Sequence, residues 1–143
     1  MVLPVTLSTA AACAAITLWL ALRLVPRRLN GIAVGDGGDD RMLRDMRAHA
    51  NFAEYAPFVL ILMGAIELAG GSPTWLWVAG ATFVLARVLH PIGMRMDGRN
   101  LPRAGGIMLT WTVLALLAGW AAAIAIGDRS PVRIGEPVTI PRA

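Results

Sequence analysis

The chain has 143 residues, 57% of them apolar and 15% charged, with a mean hydropathy of +0.63. The apolar residues gather into long runs instead of recurring at helical or strand periods over a polar background, which argues against a soluble enzyme, a zinc module or a disordered chain. The net charge of +4 comes from 13 basic residues, all arginine, against 9 acids; it is divided between two loops and gives no reason to invoke nucleic acid.

Residues 1–22 carry no charge and are long enough as helix to cross about 30 Å of hydrocarbon. Arg23, Arg27 and Arg28 follow this stretch instead of preceding it. That order predicts a span and not a secretory signal, which opens with positive charge. Cys13 lies inside the run. One such cysteine supports neither a disulfide framework nor a metal site and reads as inert packing, and the two histidines have no partner at ligand spacing. A second apolar stretch, 51–68, is interrupted by Glu54 and Glu67 and closes at Gly70-Gly71-Ser72-Pro73. A third, 74–89, holds Arg87 near its end, and a fourth, 104–127, has no charge. Residues 128–143, proline-bearing and without period, read as a loose tail.

The expected fold is therefore all-α: one integral-membrane four-helix bundle over 1–127, with an up-down path. The first loop carries Arg27, Arg28, Arg41, Arg44 and Arg47, the third Arg95, Arg99 and Arg103, and the second no charge. Short arginine-rich loops stay cytoplasmic, so both termini are expected outside. Trp75 and Trp77 suit either the outer headgroup level or plain lipid-facing packing. The Ala10 to Ala15 run, with Ala115, Gly119 and Ala123, has the small-residue spacing that lets backbones approach in a tight bundle or an oligomer. Four short-looped helices enclose little space, so a sizeable site forms more easily between subunits.

The informative segment is 41–57, RMLRDMRAHANFAEYAP. At about 100° per residue, Arg44, Arg47, Asn51, Glu54 and Tyr55 form one stripe that descends into the second span, and His49 points away. Arg47 and Glu54 are too far apart for a one-turn pair, and Asn51 is expected to bridge them. Polar groups in a span are costly unless they face a partner or a wet cavity. The stripe is thus either a structural ion-pair network or a ligand site. Arg87 and His90 share a face at the end of the third span. Alone, each reads as structural or as a ligand group; their convergence on the same boundary favours an anionic ligand. Glu67 falls near the opposite boundary and reads as structural.

Arg47-Ala48-His49-Ala50-Asn51-Phe52-Ala53-Glu54-Tyr55-Ala56-Pro57 resembles the RA(H/Q)xNxxEYxP signature of the MAPEG family, membrane-associated proteins in eicosanoid and glutathione metabolism. The resemblance extends through Gly35-Asp36-Gly37-Gly38, Ala86-Arg87-Val88-Leu89-His90, Arg99 and Arg103, over about residues 5–126. It is closest to a small bacterial inner-membrane branch. The resemblance implies a homotrimer that binds glutathione, as substrate or cofactor, in a U shape at each subunit interface near the cytoplasmic side. Arg47, Asn51, Glu54 and Tyr55 match ligand positions, with Glu54 near the ammonium and Arg47 near a carboxylate. Arg27 or Arg28 is similar to an arginine contributed from the end of the first helix. Arg87, His90 and Arg99 join this ligand set, and Arg103 matches the proposed thiol activator. Met94 stands where the family has tyrosine, and Ala104 where it has serine.

Glutathione has two carboxylates and one ammonium, which suits an arginine-rich stripe containing one acid. A guanidinium lowers a thiol pKa while staying protonated. Arg103 could do this, or serve only as a topology anchor. Two function classes follow: a glutathione transferase or peroxidase-like enzyme acting on lipophilic electrophiles, and a non-catalytic binder of lipids or hydrophobic ligands with the same fold. A proton-coupled exporter would need an acid deep in a span, and the first and fourth spans have none.

Overall fold

A computed structural model describes residues 2–127, which are helical with no strand among them. Four long helices, α1 (Pro4–Leu22), α3 (Asp40–Leu68), α4 (Pro73–Arg95) and α5 (Leu101–Gly127), are accompanied by the short α2 (Val25–Leu29). All four long helices have the length and composition to cross a membrane. The tail expected at 128–143 lies outside the described residues.

Local sequence explains most helix ends. Pro4 and Pro73 occupy the first turns of α1 and α4, where a missing N–H has no partner to lose. Asp39 caps α3 by accepting from the Met42 N–H at 2.9 Å. That bond holds its carboxyl below the usual range. Asn100 caps α5 through the Arg103 N–H, at 3.0 Å. α3 ends with Gly70 at φ +77°, its N–H on the Glu67 carbonyl and the Gly71 N–H on the Ile66 carbonyl. Only a residue free to adopt left-handed backbone closes that motif without strain. α1 has no cap of its own. Glu67, at the far end of α3, accepts from the Val5 N–H (3.0 Å), the Thr6 N–H (2.8 Å) and the Thr6 hydroxyl (2.6 Å).

The third span does not stop at residue 89. α4 runs through buried Pro91 to Arg95. Proline removes one ladder bond, and a helix packed between neighbours tolerates that loss.

α3 and α4 each pack against the other three long helices. Phe83, Leu20, Met63, Ile66, Leu76 and Leu117 are among the fully buried side chains between them. α4 and α5 approach backbone to backbone at Gly106, where a Cβ would stand 2.8 Å from the Ala86 carbonyl oxygen and from His90 N and Cβ. The small residues expected at close contacts do not form the crossings within the protomer. Ala115, Gly119 and Ala123 face outward, with open space over Gly119, and Ala11, Ala14 and Ala15 are exposed as well. The inward line of α5 is Gly106, Thr110, Val113 and Leu117, and residues two positions further along each turn point about 200° away. Trp75 and Trp77 also turn outward.

One end of the bundle is clamped by Asp45, which is 1% exposed. It accepts from Arg23 at 2.7 Å, Arg27 at 3.2 Å and Arg95 at 2.8 Å. One carboxylate thereby ties the end of α1, α2 and the end of α4 to α3. Arg27 also reaches Asp39 at 3.0 Å. Arg28 closes the glycine loop by donating to the carbonyls of Ile32 and Gly35.

Candidate functional site

A cleft of about 740 Å³ opens between α3, α4 and α5 beside this clamp, within the range of about 300–1,000 Å³ common for small-molecule sites. α3 supplies Arg47, Ala50, Asn51, Glu54 and Tyr55, spaced three and four apart so that they share a face. α4 supplies His90 and Met94, the connecting loop Arg99 and Asn100, and α5 Arg103, Ala104, Ile107 and Trp111. The glycine crossing at Gly106 holds α4 and α5 close enough for the His90 ring to meet the Arg103 carbonyl, at 3.1 Å. A carbonyl only accepts, so Nδ1 carries a proton and donates to it.

The charges of the cleft are unspent. Arg47, Glu54, Arg99 and Arg103 are exposed and form no ion pair with another described residue. The contrast is with Arg23, Arg27 and Arg95, which share the Asp45 carboxylate. Arg44, on the same stripe, pairs with Asp97 at 3.0 Å and lies to one side. A smaller recess of about 430 Å³ there shares Arg47, Met94, Arg99 and Arg103 with the cleft.

Behind the α3 wall lies Arg87, 1% exposed. Its Nη1 donates to Asn51 Oδ1 at 2.9 Å and its Nη2 to the Gly106 carbonyl at 3.3 Å. Its guanidinium stands 5.8 Å from the Tyr55 ring. Asn51 therefore does not bridge Arg47 to Glu54: its oxygen is claimed by an arginine that burial leaves with no carboxylate among the described residues. Of the residues marked in the sequence, Arg47, Asn51, Glu54, Tyr55, His90, Arg99 and Arg103 line the one cleft, Arg87 stands behind it, and Arg27 and Arg28 are engaged elsewhere. Met94 and Ala104 are lining residues too. Trp111 was not foreseen, although Arg103, Ile107 and Trp111 recur every four residues and so share a face.

The MAPEG family model matches residues 6–123. The chain belongs to the MAPEG family. No curated protein matches the chain. Membership accounts for the four membrane-competent helices and is consistent with a function related to glutathione. The matched region contains every residue that lines the cleft, Met94 and Ala104 among them.

Proposed function

We propose that this MAPEG protein binds glutathione in the α3–α4–α5 cleft and transfers its sulfur to lipophilic electrophiles. The observation that carries the reading is the set of unpaired charges in one cleft: three guanidiniums, on Arg47, Arg99 and Arg103, and one carboxylate, on Glu54. Glutathione offers the complement, two carboxylates and an ammonium, with a third negative charge when its thiol ionises. On this reading Glu54 takes the ammonium and Arg47 a carboxylate. Arg103 stabilises the thiolate and remains charged itself. The sulfur then attacks an electrophilic carbon; the carbon–sulfur bond forms as the bond to the leaving group breaks, and the thiol proton passes to solvent. Holding both reactants together supplies much of the rate.

Placement supports an electrophile arriving from lipid. Counted back from Leu68, about 30 Å of helix takes about 20 residues, which puts Ala48 at the boundary and Asn51 and Glu54 just below it. All ten described arginines belong to this end of the bundle, Arg87 through its bond to Asn51, so we assign the cleft to the cytoplasmic side of a bacterial inner membrane. A homotrimer would close the open side of the cleft. Within one protomer Arg27 and Arg28 do not line it, so a ligand role for either requires a neighbouring subunit.

Met94 and Ala104 favour a second reading, a binder without turnover, because they leave fewer hydroxyls beside the sulfur. Calorimetry of glutathione with detergent-purified protein tests the site. Arg47→Ala and Glu54→Gln should each weaken binding at least about tenfold, the cost of one lost charged hydrogen bond. A wild type that does not bind at millimolar thiol overturns the proposal. Thiol-dependent consumption of an aryl halide then separates the transferase from the binder.

A further inference from the structure

The two polar groups at the centre of the α3 wall have their hydrogen-bonding sense set by residues that do their work from the side or from behind. A guanidinium has no acceptor, so the atom that Asn51 turns to Arg87, 2.9 Å away, is its oxygen. The planar amide then turns its NH2 group from Arg87 toward the cleft that Asn51 lines. Tyr55 is treated alike. The indole N–H of Trp111 only donates, so at 3.0 Å the phenol oxygen accepts from it and the phenol hydrogen is left to point elsewhere in the cleft. Neither setting can reverse while the donor-only partner is in place.

We infer that Arg87 and Trp111 are positioning residues that fix Asn51 and Tyr55 as donors, so that the cleft selects a ligand presenting carboxylate or amide-carbonyl oxygens at both. The inference deepens the glutathione reading and rests on it. It also gives buried Arg87 a task other than ligand contact: its guanidinium, with Nε unpartnered, presents only donors to the amide. A ligand that offers a donor at position 51 meets a donor, and leaving both unsatisfied costs about tenfold to a hundredfold in affinity.

Full-length protein in detergent is compared as wild type, Asn51→Asp, Asn51→Ala, Trp111→Phe, Tyr55→Phe and the Trp111→Phe/Tyr55→Phe double variant, by thermal unfolding and by calorimetry with glutathione. Asn51→Asp should unfold at or above the wild-type temperature, since it hands Arg87 a carboxylate, and yet bind glutathione about a hundredfold more weakly, since an acceptor now faces the ligand's acceptors. Asn51→Ala should lose both stability and affinity. A purely structural role would move the two quantities together in both variants. Trp111→Phe should weaken binding about threefold to tenfold where Tyr55 keeps its hydroxyl, and not at all in the Tyr55→Phe background. Asn51→Asp binding as wild type, or Trp111→Phe acting equally with and without the hydroxyl, overturns the inference and leaves the glutathione site standing. Wild type failing to bind overturns the glutathione reading, and this inference with it.

Discussion

Replacing Asp45 by asparagine keeps the shape of the clamp and removes its only negative charge. Three guanidiniums lose their counter-ion, but they are not equally placed to recover. The Arg95 side chain is 48% exposed and can turn to water, and Arg27, 21% exposed, keeps Asp39. Arg23 is 8% exposed and already has Nε and Nη1 without partners, its guanidinium lying 5.0 Å from the Trp19 ring. The cost is therefore that of one buried ion left alone, about 3–4 kcal/mol, which lowers the unfolding temperature by about 10 °C. Removing the stranded charge as well, in Arg23→Met/Asp45→Leu, should bring the protein back to within about 1–2 kcal/mol of wild type. Thermal unfolding of the purified variants reads both. Asp45→Asn within about 1 kcal/mol of wild type, or a double variant no better than the single one, would refute the reasoning.

Gly106→Ala should destabilise by about 1–3 kcal/mol, because its Cβ meets the backbone of α4, which cannot swing aside; Gly119→Ala, over open space within the protomer, serves as the comparison in the same unfolding assay. Asp39 titrates with its carboxyl held low by the Met42 N–H. A depressed folded pKa means that its contribution is complete above the unfolded carboxylate value and is lost as pH falls through the folded one. Asp39→Asn, which caps without ionising, should flatten the acid limb of a stability–pH curve. Glu67→Ala removes three bonds to the first turn of α1 and should cost about 2 kcal/mol, and Thr6→Val about half of that. Equal effects of the two would mean that the Val5 and Thr6 amides find other partners.

The α3 stripe was legible because spacings of three and four are a property of the helix alone; Arg47, Asn51, Glu54 and Tyr55 needed no partner to be placed on one face. His90, Arg99 and Arg103 needed the motif as well, since only the α4–α5 crossing brings them to that face. Asp45 was written in the sequence and passed over: it falls on the apolar register of Met42, Ala48, Phe52 and Ala56, where a charge demands buried partners. Arg87 likewise follows Leu76, Gly80 and Phe83 along the inward line of α4, which is why it backs the cleft wall. On α5 two lines of small and apolar residues coexist, and spacing alone does not say which faces the bundle.

The distant cap on α1 also sets an order of events. The carboxylate that completes the first turn of this helix is made 61 residues after Thr6, and a ribosome adding about 5–20 residues per second delivers it about 3–12 s later. Until then the opening amides of the first span are left to water. The first hydrophobic segment thus receives its cap only from the second, which ties the two spans together at that end.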